Sequence, residues 1–349
     1  MADGRRGAAL DLFRLAAVML VVANHTSPLV SVSPLWDFWF TRVLARVAVP
    51  FFLMVSGFFL AKDQWRRTGV FLKKTCLLYG AAVLLYLPLN WYNGGYGPAE
   101  WVKKLLLDGT FYHLWYFPGV ILGVPVARGL LRLGPRTALT AAGLLYLVGL
   151  GGDSYYGLTT QIPVLKTMYD GMFQVFSYTR NGIFLVPIFL MIGVWFAKVE
   201  RENTVQNDSY WEMSEPKRWN RKRAGLGLLI SLVLMTVEGF ALHAADWQRH
   251  DSMYVMLPIV MIFLYIWICA KPQEPSKKLR SLSTWIYILH PAVIVVVHAL
   301  PGSLGKEIAG NSLLNYVAVV IGTCIISIFG MYVTHRISHG FDLHVRRNK

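Results

Sequence analysis

The chain has 349 residues, a mean hydropathy of +0.45, 55% hydrophobic residues and only 15% charged ones. That balance excludes an ordinary soluble domain. A net charge of +15 would suggest a nucleic-acid partner in a soluble chain, but its distribution along this one points to membrane orientation and excludes nucleic acid.

Apolar runs reach the roughly 20 residues needed to cross about 30 Å of hydrocarbon. They predict an all-α, polytopic membrane protein with about ten transmembrane helices, near 8–30, 43–61, 69–92, 112–131, 137–150, 181–197, 224–243, 252–270, 281–299 and 312–335. With both termini in the cytoplasm, the inner segments hold 25 of the 34 Lys and Arg and the outer segments hold six. This positive-inside bias sets the expected topology, with basic residues touching anionic lipid headgroups. A single membrane domain over 1–349 is expected, with a cytoplasmic loop at about 198–223 and outer loops at about 93–111 and 151–180. Trp211 and Trp219 are expected to lay the first of these against the membrane face. The segment from Pro98 reads as a short interfacial helix. Cys76, Cys269 and Cys324 show no metal or disulfide spacing and read as core packing.

In chain order, the ionisable groups of the first span are Asp11, Arg14 and His25, with Asn24 beside the last. Eleven residues return a helix to nearly the same angle, so Arg14 and His25 share a face about 16 Å apart. Charge within a membrane span marks a functional site by default. His25 is a candidate general base near neutral pH, or a histidine hydrogen-bonded between helices. Arg14 either pairs with Asp11 at i,i+3 or holds a phosphate or carboxylate. Arg42 and Arg46 open the second span. Arg42 is placed to snorkel and Arg46 needs a partner, while Ser56 and Gly57 permit close helix approach. His113, Trp115 and Tyr116 begin the fourth span, either as an aromatic belt or as lining of the outer mouth. Arg180 is a similar case. Glu238, inside a late span, either neutralises an arginine such as Arg46 or binds substrate. Tyr287 and His290 lie at i,i+3 on one face. No phosphate loop, dinucleotide fingerprint, His-Glu-x-x-His or nucleophile elbow is present, so neither a metal site nor a tightly bound cofactor is expected.

Together these motifs resemble the acyltransferase-3 family of integral membrane acyltransferases. The resemblance rests on Asp11, Arg14 and His25, and on Arg46 before Pro50-Phe-Phe with Ser56-Gly57-Phe58. It also rests on His113-Leu-Trp-Tyr116, and on Tyr287 with His290-Pro291. The segments around His25, Ala45 to Phe52 and Tyr178 to Phe184 are similar to the membrane domain of membrane-bound serine racemases of the vancomycin-resistance type. The resemblance implies transfer of an acyl group, often acetyl from acetyl-coenzyme A as donor substrate, to a hydroxyl of a cell-envelope saccharide or small-molecule acceptor. It assigns His25 as general base, and Arg14 and Arg46 to donor or acceptor. Glu238, His113 and Tyr287 would shape the pocket. The racemase likeness implies instead a domain that supplies L-serine, with a cytoplasmic racemase domain or subunit as partner. No such soluble domain is expected within 1–349. A scaffold that anchors a racemase or cell-wall partner is the third reading. The expected location is the bacterial plasma membrane.

Overall fold

The computed structural model describes the backbone of residues 2–208, 220–270 and 276–347. Trp211 and Trp219 lie outside the described residues. Among those described, helix is the only regular structure. Its principal members are α1 (Ala2–Thr26), α2 (Ala48–Lys62), α3 (Thr68–Tyr92), α4 (Tyr116–Leu130), α5 (Pro135–Gly151), α6 (Val186–Asp208), α7 (Arg221–Ala244), α8 (Leu257–Cys269), α9 (Lys277–His298) and α10 (Ser312–Arg347). Each segment expected to span the membrane overlaps one of these helices. Six helical stretches are long and apolar enough to cross a bilayer: Pro34–Lys62, Thr68–Tyr92, Tyr116–Leu133, Arg221–Ala244, Lys277–His298 and Ser312–Thr334. The helix Leu257–Cys269 has 13 residues and is too short to do so alone.

The chain divides into two compact units, 1–41 with 271–349, and 42–270. In the first, α1 packs on α9, and α9 on α10. α1 ends at Thr26 because Ser27 adopts φ +46 before Pro28, short of the expected boundary at 30. Ser312 fastens the start of α10 there, donating from Oγ to the Pro28 carbonyl at 2.8 Å.

In the second unit, α2 and α6 form the tightest pair. A Cβ on Gly57 would meet the Leu190 carbonyl and one on Gly193 the Met54 carbonyl, so the two backbones touch. α6 continues to Asp208, well past the expected start of the cytoplasmic loop. Ion pairs Lys62–Glu200 and Lys198–Glu202, each at 3.6 Å, support this polar extension. The expected outer loops also hold helix. Pro98–Lys103 is the interfacial helix read from the sequence, while Pro163–Val175 lies where only a loop is expected. Its proline at the first turn starts it, and Lys166 pairs with Asp170 on its exposed face. Cys76 is exposed rather than in the core, on a helix whose surface is largely apolar and open.

Candidate functional site

Asp11 is 3% exposed in α1 of the first unit. Its carboxylate accepts from the Ser276 amide at 3.1 Å and faces Arg280 Nε at 3.3 Å and Arg14 Nε at 3.8 Å. The i,i+3 pair with Arg14 therefore exists, but Asp11 also joins α1 to the start of α9. Arg280 and Ser276 escaped the sequence reading, because nothing local marks a partner some 265 positions away.

In the last turn of α1, the ring of His25 stacks on that of His290, centroids 5.4 Å apart and planes 24° from parallel. His290 is wholly buried. Its Nδ1 lies 2.9 Å from the Tyr287 carbonyl and 3.2 Å from that of Ile286. Carbonyls only accept, so Nδ1 carries the proton and Nε2 the lone pair. The cause is local. Pro291 has no N–H, so the Tyr287 carbonyl, four residues back, loses its helical donor, and His290 replaces it. The Tyr-x-x-His-Pro motif is thus one hydrogen-bonding device. Tyr287 stands 6.2 Å from the His290 ring. Beside His25, Asn24 Oδ1 is buried with no hydrogen-bond partner.

The second unit gathers a different set. Arg42 and Arg46 sit where the helical run leaves α geometry, as a π stretch Phe38–Val43 and a 3-10 turn Leu44–Val47. Such departures free a carbonyl. Here the Arg42 carbonyl accepts from Tyr254 OH at 2.9 Å and from Arg46 Nε at 3.4 Å. The Arg42 guanidinium faces Asp251 at 3.8 Å. Arg46 makes no ion pair with any described residue.

Arg180 is held by the loop around it. Ser177 bonds Asp108, Thr179 Oγ1 donates to the Gly149 carbonyl, and Asn181 Oδ1 receives the Ile183 and Phe184 amides. Its guanidinium lies over Tyr178 at 4.1 Å and Trp115 at 5.5 Å, and Nη1 donates to Ser252 Oγ at 2.9 Å. Burial lowers its pKa, and Asp153 partly opposes this. Asp153 is fully buried. Its Oδ1 accepts from the Ser252 amide at 2.7 Å, the Met253 amide at 3.0 Å and Ser154 Oγ at 3.0 Å. Burial pushes its pKa up to about 6, against the lowering effects of Arg180, Ser252 and Arg46. Next to it, burial pulls His250 down to about 4, helped by Arg180, Arg249 and Arg46.

Several expected site residues are placed elsewhere. Glu238 does not pair with Arg46. Its oxygens receive the Val255 amide at 2.6 Å, the Met256 amide at 3.0 Å and Tyr155 OH at 2.8 Å, so the carboxylate caps the start of α8. His113 is buried edge-on to Tyr86 at 4.9 Å among aromatic rings rather than lining a mouth. Tyr116 packs on Phe117. Trp115 of that motif reaches Arg180. Asp153, Ser252, His250 and Asp251 were missed. The sequence marks 151–179 as rich in Tyr and Gly, and nothing in it singles out an acidic residue. Among the described residues, no three His, Cys, Asp or Glu could hold a metal ion.

Residues 8–333 match the family model described as an acyltransferase domain, that of acyltransferase family 3. An amino-acid racemase of Enterococcus faecalis is 36% identical over 92% of this chain and 45% of its own length. A second amino-acid racemase of that species is 37% identical over 91% and 44%. A serine/alanine racemase of Enterococcus gallinarum is 36% identical over 90% and 44%. The chain thus spans less than half the length of these curated relatives. No solved structure matches it.

Proposed function

The chain belongs to the acyltransferase-3 family, and from that premise we propose that this membrane protein transfers an acyl group, with His25 as the base. The observation that carries the reading is the His25–His290 stack, a half-buried imidazole backed by a second ring whose tautomer the backbone sets. In the reaction, His25 takes the proton of an acceptor hydroxyl as its oxygen attacks the thioester carbonyl of acyl-coenzyme A. The C–S bond then breaks, and the leaving thiolate recovers the proton from the imidazolium. Arg14, anchored by Asp11, offers a guanidinium for donor phosphates. Acetyl-coenzyme A as donor and an envelope saccharide or small alcohol as acceptor follow from the family. The proposed setting is the bacterial plasma membrane with both termini cytoplasmic, in accord with the 25-to-6 charge split.

The test is acetyl-coenzyme A turnover by the chain in lipid nanodiscs. His25→Ala is expected to cost about 10²- to 10⁴-fold, the range of general-base catalysis, at an unchanged elution volume. Turnover that survives the substitution rejects His25 as the base.

A second reading is supply of serine or a similar amino acid to a racemase domain or subunit. The racemase names of the relatives and the mixed-charge cluster around Arg180 and Asp153 favour it.

A further inference from the structure

Ser252 stands between two charged groups of the second unit, its hydroxyl taking Arg180 Nη1 and its amide serving Asp153 Oδ1. The bridge keeps the guanidinium and carboxylate from closing on each other. Each retains one buried polar atom with no hydrogen-bond partner, Nε on Arg180 and Oδ2 on Asp153. Leaving such atoms unmet is costly, more so for charged groups. One is a donor and the other an acceptor. A simple anion would satisfy Arg180 and be repelled by Asp153, and a simple cation would do the reverse. A ligand that carries both charges, as an α-amino acid does with its ammonium and carboxylate on one carbon, completes both. The charge of Arg46 also acts on Asp153. Trp115 and Tyr178 flank Arg180 and hold its plane.

We propose that Arg180 and Asp153 form a receptor for a free α-amino acid, the guanidinium taking its carboxylate and Asp153 Oδ2 its ammonium. Ser252 is the positioning residue that holds the two poles apart. The proposal rests on the amino-acid reading and gives it a site.

The experiment measures tryptophan fluorescence and calorimetric binding on the full chain in nanodiscs with three probes. L-Serine carries both charges, L-lactate lacks the ammonium, and ethanolamine lacks the carboxylate. L-Serine is expected to bind at least about tenfold tighter than either, the loss that one unmet buried charge brings. Asp153→Asn keeps the Oδ1 acceptor and should lower serine affinity to that of lactate, while Arg180→Lys weakens serine and lactate together. Should Asp153→Asn fail to fold, Ser252→Ala provides the second arm, with a several-fold loss for serine and lactate together as Arg180 is released toward Asp153. Equal binding of serine and lactate, or no binding because a bridging water alone fills the gap, overturns the site, as does a folded Asp153→Asn protein with unchanged serine affinity. Uptake of labelled serine into proteoliposomes separates the site from the reading beneath it. Binding without uptake keeps the receptor and removes transport. Uptake with serine affinity unchanged in both variants keeps transport and overturns the receptor.

Discussion

The two units treat buried charge in opposite ways. In 1–41 with 271–349, the charges of Asp11, Arg14 and Arg280 sit on helix faces and pair with one another. Asp11 has two guanidinia and a backbone amide, and His290 answers the carbonyl that Pro291 orphans. In 42–270 the charges of Arg42, Arg46, Asp153 and Arg180 come from irregular backbone and loops, and polar atoms of Arg180 and Asp153 remain unmet. Satisfied polar groups specify packing, whereas unmet ones are left for a ligand. The first unit therefore spends its charges on fixing the place of one half-buried imidazole, and the second holds charge in reserve.

The largest effect is expected where that contrast is sharpest, at Asp11. Asp11→Ala leaves Arg14 and Arg280 facing each other with no carboxylate. Removing one partner of a buried pair costs about 3–5 kcal/mol, and the lower end applies because the Arg280 side chain is 39% exposed. Reversible unfolding in mixed detergent should show a loss near that size, together with loss of acyl transfer. A drop in transfer with stability unchanged would mean that Asp11 acts in chemistry rather than in anchoring α1 to α9.

The same contrast explains what the sequence discloses. Asp11, Arg14 and His25 are legible because a helix converts spacing into direction, and the membrane makes each charge conspicuous. Tyr287 and His290 are legible as a pair for the same reason. The stack of His25 on His290 is not, since it depends on how α1 and α9 pack and no periodicity encodes that. Asp153 and Ser252 are hidden more deeply. A short acid or hydroxyl in a loop ordinarily serves the nearest amide, and Asp153 differs only in being fully buried. Glu238 is instructive because its expected pairing with Arg46 does not form. Its depth in an apolar helix signals a charge partner, but two backbone amides and a tyrosine hydroxyl provide for it instead. The helix Pro163–Val175 was passed over because its tyrosines and glycine read as loop composition.

A smaller effect should test whether His290 belongs to the satisfied class. His290→Phe keeps a ring against His25 but strands the Tyr287 carbonyl. Pro291→Ala restores the N–H that the carbonyl lacks. The two substitutions should therefore couple, the double variant being about 1 kcal/mol more stable than the sum of the single changes predicts, the net value of one hydrogen bond. Strict additivity would show that His290 does not stand in for the missing donor. The unfolding measurement that serves Asp11 reads this cycle as well.

The smallest change is expected in the wild-type response to acid, because two groups of the second unit oppose each other there. His250 is held down to about 4 in the fold against an ordinary value of 6.5. As pH falls through that window the unfolded chain takes up a proton that the fold refuses, so stability is lost. Asp153 is held up to about 6 against an ordinary 3.8. Between those values the fold binds a proton that the unfolded chain releases, so stability is gained as pH falls. The windows overlap and the slopes have opposite sign, leaving the wild-type thermal midpoint nearly flat from pH 6.5 to 4. Removing either group should expose the other. His250→Gln is expected to become more stable on acidification and Asp153→Asn less stable. Parallel slopes in the two variants would show that the protons go elsewhere, and that the unmet oxygen of Asp153 does not feel the burial ascribed to it.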